Sequence, residues 1–408
     1  MKKIKVIFDL EVIGSSYKNN QTGVYRVAYE ILRRFILRND LKVLYSNFNF
    51  NKDKNTESKI NTFISENGVV IKAANSCKRV RFIPFRKKKF FRKIYKKLEV
   101  LDYKITYNID ANTADIYHSV FYPIHKSLAK FPNIKKIVTI HDLIPILFPQ
   151  YNSNTELLEN TIKSIDKDNY AICVSENTKK DLLNYAPYID SEKVFVSLLA
   201  ASPELFYRCN NKEKFDEVKS KYNIPERYFL SLSTLEPRKN IDHIIRCFIK
   251  TIIERKIDDL CLVLVGDKGW DFDKIFSEFD NAKDFQNRII ITGRIPDEDL
   301  ASIYSNANSF YYMSFYEGFG LPPLEAMQCG APCVVSETSS LPEVVGEAGV
   351  LLDPKDQESL VKSMWKLYND ETYRNELSEK SIEQAKKFSW EKTVQQHIDI
   401  YKQICFAG

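Results

Sequence analysis

Two glutamates, Glu317 and Glu325, bracket the stretch Gly318-Phe319-Gly320-Leu321-Pro322-Pro323. The apolar aromatic run Phe310-Tyr311-Tyr312-Met313 before it reads as a buried strand, and the prolines suit the first turn of a helix. A helix opening on glycines and prolines presents unpaired N–H groups and a positive dipole end, which suits phosphate. Carboxylates on either side suit hydroxyls. A ligand carrying both groups, such as a nucleotide sugar, needs that combination. The plain alternative is an ordinary strand–turn–helix corner with two solvated glutamates. A second charged stretch, Glu236-Pro237-Arg238-Lys239-Asn240, follows the apolar run Tyr228–Ser233, and its two cations suit a diphosphate. A third pair, His141-Asp142, ends the run Ile137-Val-Thr-Ile140. A histidine at the carboxyl end of such a strand is placed for chemistry, or else is a structural group that Asp142 orients.

These residues need a scaffold that brings strand ends together. Residues 3–10, 42–48, 69–72, 114–120, 136–140, 171–175 and 194–199 form one series of short apolar runs with helical patterns between them. A second series runs 228–233, 260–265, 288–292, 309–313, 332–336 and 349–352. Such alternation means parallel sheets wrapped by helices, with ligands beyond the carboxyl ends of the strands. Residues 11–21 and 51–60 read as polar loop and linker, and 200–226 as the link between domains. Thr22 reads as the N-cap of a helix carrying Val24, Val27, Ile31 and Phe35 inward, beside Gly23. A last helix holds Trp390, Val394, Ile398 and Tyr401 on one face. The 408 residues exceed what one core usually serves, so the expected division is 1–205, 206–385 and a closing helix, 386–408, that returns to the first domain.

A formal charge of +6 over this length does not point to nucleic acid. The 8 cysteines have neither disulfide nor zinc spacing and fit a reducing cytoplasm. No signal peptide or membrane-spanning run is visible. Asp-x-Asp, a metal-binding pattern, occurs at 166–168, 271–273 and 297–299, never convincingly at a strand end, so no metal and no cofactor is expected. Gly-x-Gly-x-x-Gly after a strand is absent, which argues against a nicotinamide oxidoreductase. The stretch Arg86, Lys87, Lys88, Lys89, Phe90, Phe91, Arg92, Lys93, Ile94, Tyr95, Lys96, Lys97 is strongly basic, with Phe90, Phe91, Ile94 and Leu98 on one helical face. It fits an anionic membrane surface. A basic face packed on its own domain, RNA or a partner's acidic patch are the alternatives.

Taken together, Glu317–Met327, Gly330-Ala-Pro-Cys-Val-Val, Leu341-Pro-Glu-Val-Val-Gly, Glu236–Asn240, His141-Asp142 and Phe388-Ser-Trp-Glu391 resemble family 4 of the retaining GT-B glycosyltransferases. The likeness is most specific over 228–355. It implies an α/β protein of two Rossmann-like doubly wound parallel-sheet domains facing a cleft. The first would bind the acceptor and the second the nucleotide sugar. The resemblance further implies that Glu325 binds ribose and Glu317 the donor sugar. Backbone at Gly318, Phe319, Gly320 and Leu321 would meet sugar and phosphate, Arg238 and Lys239 would hold the diphosphate, and His141 would sit over the donor sugar. Gly23 matches a glycine loop that closes on the phosphates, and Arg294 a segment beside the base. Two departures stand out: Thr234 occupies a position where many members have arginine, and the N-terminal loop has one glycine where many have two.

The implied reaction is front-face transfer with retention, in which the departing phosphate takes the acceptor proton. Gly-Leu-Pro-Pro-Leu-Glu resembles the branch using mannose or rhamnose donors, so GDP-mannose is the first donor to try. The expected acceptor is a lipid-linked or polysaccharide chain at the inner face of the plasma membrane, with no nucleic-acid partner. Alternatives are a nucleotide-sugar epimerase or a non-catalytic subunit of a polysaccharide assembly complex.

Overall fold

A computed structural model describes residues 3–16, 23–46, 56–66, 72–73, 113–151, 154–269 and 273–406. The first sheet holds β1 (Ile4–Asp9), β2 (Leu41–Ser46), β3 (Lys72–Ala73), β4 (Ile116–Ser119), β5 (Lys135–Ile140), β6 (Tyr170–Cys173) and β7 (Val194–Val196), in the order β3-β2-β1-β4-β5-β6-β7. The second holds β8 (Tyr228–Leu232), β9 (Cys261–Val265), β10 (Ile289–Gly293), β11 (Ser309–Tyr312), β12 (Cys333–Ser336) and β13 (Val350–Leu352), in the order β10-β9-β8-β11-β12-β13. Neighbouring strands are parallel throughout both sheets. Buried on both faces, they read as continuous apolar runs: every residue of β11 is buried, and so is every residue of β12. The α/β, doubly wound architecture expected from the sequence is thus present in both halves.

Each sheet reverses its winding once, between β1 and β4 and between β8 and β11. A ligand in such a sheet binds outside the strand ends at that switch point. In the second sheet the two loops there are 233–240 and 313–320, the segments that carry Arg238, Lys239 and Glu317.

Three segments expected to be irregular are helical. Glu11–Ser16 is a helix, and the Glu11 amide donates to the Asp9 carboxylate at 2.9 Å. Thr56–Glu66, which overlaps the expected linker 51–60 in its first five residues, is a helix that buries Ile60 and Phe63. Lys212–Tyr222, inside the expected interdomain link, is a helix capped by Asn211, with only Phe215 and Val218 buried. It packs beside the second sheet through Phe215 on Tyr228, with ring centroids 6.5 Å apart. The basic stretch 86–97 and Thr22 lie outside the described residues.

The Trp390–Phe406 helix lies against the Gly23–Phe35 helix and the first sheet. Tyr401 meets His118 Nδ1 through its hydroxyl at 2.6 Å, and His397 Nδ1 sits 3.0 Å from Ser197 Oγ. Phe35 packs edge-on to both Tyr401 and His397. This aromatic cluster fixes where the chain ends relative to where it begins.

Candidate active site

The turn after β8 is held in place by Asn240. Its backbone adopts the left-handed conformation at φ 58°, and its side-chain amide donates to the carbonyls of Met313 at 3.1 Å and Pro354 at 2.7 Å. The turns after β8, β11 and β13 are thereby tied together. The Phe315 amide donates to the Arg238 carbonyl at 2.9 Å, closing the two switch-point loops on each other.

Inside this frame Glu317 meets both cations. Its carboxylate accepts from Lys239 Nζ at 2.6 Å and lies 2.9 Å from Arg238 Nη1. Arg238 also donates to the Tyr316 carbonyl at 2.7 Å and to Glu236 at 2.6 Å, and Lys239 donates to the Tyr312 hydroxyl at 2.7 Å. Burial alone would raise the Glu317 pKa, but Arg238 and Lys239 overcome it and hold the carboxyl at about 2. Burial pulls the Lys239 ammonium down against the pull of Glu317, while carboxylate neighbours push Arg238 up against its burial. The cluster is therefore a buried carboxylate shared by two cations.

Gly318 follows at the interface between the two sheets. A Cβ there would fall 1.9 Å from the His141 carbonyl oxygen, so only glycine permits this approach. Its own carbonyl accepts from Ser175 Oγ at 2.8 Å and Thr178 Oγ1 at 3.1 Å. Gly320, at φ 120°, turns the chain into the Leu321–Gln328 helix, whose N-terminus has prolines in its first turn and no side-chain cap. Gly23, at the start of the Gly23–Phe35 helix, faces Leu321: a Cβ on it would lie 3.9 Å from Leu321 Cδ1.

His141 lies at the end of β5, with Nε2 2.8 Å from the Val120 carbonyl. A carbonyl only accepts, so Nε2 carries the proton and Nδ1 keeps its lone pair. Burial holds the ring's pKa at about 4, which keeps it neutral at pH 7. Asp142 does not orient it; its carboxylate accepts from the Ile144 amide at 2.9 Å.

Glu325 is buried one turn into the Leu321–Gln328 helix. Its Oε1 accepts from Arg26 Nη1 at 2.6 Å, and Arg26 Nη2 reaches Asp297 at 2.6 Å. The guanidinium also stands 5.5 Å over the Phe206 ring, and the Tyr304 hydroxyl lies 3.4 Å from Glu325 Oε2. Burial raises the Glu325 pKa, and Arg26 opposes it.

The family described as "Glycosyl transferases group 1" matches residues 213–388. O-antigen chain mannosyltransferase B of Escherichia coli is 32% identical over 272 residues, covering 66% of this chain and 70% of the relative. The chain belongs to the group 1 glycosyl transferases. The serotype-specific mannosyltransferase WbdA of Escherichia coli is 30% identical over 263 residues, which are 64% of this chain but only 32% of that longer protein. Two solved structures share the fold. One is Anabaena Alr3699/HepE in complex with UDP and glucose, at TM-score 0.68 and 16% identity over 97% of this chain and 98% of that one. The other is a glycosyltransferase from Rickettsia africae ESF-5, at TM-score 0.70 and 18% identity over the full length of both chains. At such identities the likeness speaks to the fold alone.

In this group 1 glycosyltransferase, then, Arg238, Lys239, Glu317 and Gly318 come together at the switch point, with the backbone of His141 against Gly318. Phe319 is a core residue, edge-on to Phe388 at 6.0 Å, so only its backbone is available to a ligand. Arg294 is exposed after β10, two strands from β8, outside the Glu317 cluster. Among the described residues there is no group of three or more His, Cys, Asp or Glu placed to hold a metal. Of the Asp-x-Asp pairs, Asp297 is taken up by Arg26 and Asp299 by Lys221 and Tyr222.

Sequence reasoning passed over Arg26, although it lies three residues from Gly23, because its partner is 299 positions away. It also passed over the contacts that close the two halves. The Glu343 carboxylate accepts from the amides of Glu176 and Asn177 at 2.9 and 2.8 Å, at the start of the Glu176–Tyr185 helix. The Tyr316 hydroxyl bonds Asp181 and lies 3.0 Å from Asn177 Nδ2. A polar helix start such as Ser175-Glu-Asn-Thr signals an N-cap but not its partner across a cleft.

Proposed function

We propose that this glycosyltransferase moves a hexose, with retention, from a nucleotide diphosphate sugar to a lipid-linked or polysaccharide acceptor, and that GDP-mannose is its donor. The observation that carries this reading is the Arg238–Lys239–Glu317 cluster at the switch point, beside an uncapped helix start. Fixed cations there stabilise a leaving diphosphate where negative charge develops. The relatives named as O-antigen chain and serotype-specific mannosyltransferases support mannose and a surface polysaccharide.

In the proposed reaction the diphosphate draws Arg238 and Lys239 away from Glu317, and Glu317 turns to hydroxyls of the donor sugar. The ribose hydroxyls displace Arg26 from Glu325. The acceptor oxygen attacks the anomeric carbon from the face the phosphate leaves. The bond from that carbon to the phosphate oxygen breaks, and this oxygen takes the acceptor proton. Neutral His141 sits near the donor sugar without adding charge. No metal is needed, since the cations already oppose the leaving charge. The first half of the chain would hold the acceptor and the second the donor. Residues 86–97 would rest on an anionic membrane at its cytoplasmic side. No described helix is long and apolar enough to cross a membrane.

The test is turnover of GDP-mannose, with UDP-glucose and other nucleotide sugars as comparators, on lipid-linked glycan acceptors, with and without EDTA. The anomeric configuration of the product is read by NMR. An inverted product, dependence on a divalent metal, or release of free epimerised sugar nucleotide without an acceptor would overturn the reading.

A further inference from the structure

A concavity of about 350 Å³ that includes Pro237 and Asn240 in its lining lies beside the proposed donor corner, and no step above uses it. Tyr151 and Phe315 supply its aromatic surface. Tyr151 belongs to the first half of the chain, shortly after His141 and the Ile144–Leu147 helix, and Phe315 to the loop after β11. Their rings are 6° from parallel with centroids 6.3 Å apart, so they form one apolar strip across the junction of the two halves. Behind that strip Phe148 packs on Tyr316 at 4.9 Å.

The rest of the lining mixes the apolar Pro237, Ile275 and Pro354 with polar groups. Asp242, His243, Arg246 and Lys355 face the cavity. Arg246 pairs with Asp242 at 3.0 Å and with Glu278 at 2.7 Å, which fixes its guanidinium. Burial, then the nearby Arg246, holds the His243 pKa below its ordinary value, so its ring is neutral. Asp242 in the lining and Glu278 outside it match Arg246 and Lys355 in number, so no large excess of positive charge is left to select an anion. Oriented donors and acceptors beside aromatic faces suit a ligand with hydroxyls at its edge and C–H groups on its flat faces, which is a sugar ring. The volume falls at the low end of ligand pockets and suits a mono- or disaccharide.

Its position gives it a task. Phe315 precedes Glu317 by two residues, at most about 7 Å of chain. We infer that this pocket is a subsite for the acceptor glycan, holding a neutral sugar unit behind the one that receives the transferred hexose. This rests on the glycosyl-transfer reading above and adds where the acceptor sits. Because Tyr151 and Phe315 come from opposite halves, the subsite is complete only when the halves are closed. Acceptor binding therefore favours the arrangement in which Gly318 meets His141.

The experiment titrates the full chain separately with GDP and with oligosaccharides of one to four units, built from mannose, rhamnose, glucose or N-acetylglucosamine, by saturation-transfer NMR and calorimetry. The wild type is expected to bind at least one longer oligosaccharide. Tyr151→Ala and Arg246→Gln are each expected to weaken that binding about tenfold or more, equivalent to about 1.4 kcal/mol. Circular dichroism and a melting temperature close to wild type certify that both variants are folded, and GDP affinity is expected to be unchanged in both. Loss of saccharide affinity in Tyr151→Ala and Arg246→Gln supports the subsite even if GDP itself fails to bind, an outcome that would sink the donor reading alone. Oligosaccharide affinity left unchanged by both variants overturns the subsite. So does a folded wild type that binds none of the saccharides, with or without GDP, or one whose pocket takes up inorganic pyrophosphate in an Arg246-dependent way.

Discussion

Replacing Glu317 with Gln keeps the shape of the side chain and removes the charge that Arg238 and Lys239 share. A carboxyl held at about 2 against an ordinary 4.5 contributes about 3 kcal/mol at neutral pH. Glu317→Gln loses that contribution and leaves two buried cations facing a neutral amide. For a domain of this size the loss should lower the melting temperature by roughly 6–12 °C. The sign with pH follows. The folded pKa is depressed, so the contribution is complete above 4.5 and fades as the pH falls toward 2. Wild type and variant should therefore differ most in urea unfolding at pH 7 and converge only near pH 2. A second reading comes from ligand. With Glu317 neutral, the freed cations await an anion, so GDP should raise the variant's melting temperature more than the wild type's. Scanning fluorimetry with and without GDP measures both effects. A variant melting within about 2 °C of wild type, or one that GDP stabilises less, would refute the claim that this carboxylate balances the two cations proposed to meet the diphosphate.

Glu325→Ala should weaken GDP binding by about 2–3 kcal/mol, the scale of hydrogen bonds to a charged group, seen calorimetrically as roughly 30–150-fold in Kd; wild-type affinity would remove the ribose role. His141→Ala should lower kcat far more than it changes donor affinity, and equal losses in the two would contradict its placement near the reacting sugar. The His141 ring should titrate by NMR near 4, not 6.5. Relative to His141→Gln, wild-type stability should be full above 6.5 and fall by about 1.4 kcal/mol per pH unit as the pH drops toward 4. In Gly318→Ala the new methyl would meet the His141 carbonyl oxygen at 1.9 Å, so small-angle scattering should report a more open molecule and turnover should collapse; an unchanged radius of gyration with full activity would show that closure does not need this contact.

The strands were legible because burial on both faces leaves continuous apolar runs, such as Leu262–Val265 or Cys333–Val335. Helices that are short or carry few apolar residues were not. Lys212–Tyr222 buries only Phe215 and Val218 among its charges, and Glu11–Ser16 contains a glycine and two serines, so both read as loop. At the proposed site, residue types and spacing marked Arg238, Lys239, Glu317 and His141 as following strands and Glu325 as lying in the helix after the turn, which is where the structure has them. What they touch was not legible. Periodicity tells which face of an element turns inward, but not which element it meets. The Arg26–Glu325 pair, the Ser175 and Thr178 bonds to Gly318, and the His118–Tyr401 contact all join residues more than a hundred positions apart.

The charged groups at this corner are already paired with one another. Glu317 is paired with Arg238 and Lys239, and Glu325 with Arg26. On the proposed reading, binding a donor is then an exchange of partners, and only the difference between the two sets appears as affinity. A diphosphate alone would draw Arg238 and Lys239 toward itself and leave Glu317 a buried carboxylate without a counter-charge, which is strongly unfavourable. A sugar alone would offer Glu317 hydroxyls but nothing to the cations. The complete nucleotide sugar satisfies both at once, so its affinity should exceed what its fragments suggest, and discrimination against spent GDP follows from the same carboxylate. This also explains why Glu317→Gln should favour GDP: the variant removes the group that GDP leaves unpaired. Product release and donor choice would thus rest on one side chain, and the preference for GDP-mannose over GDP should shrink in the variant.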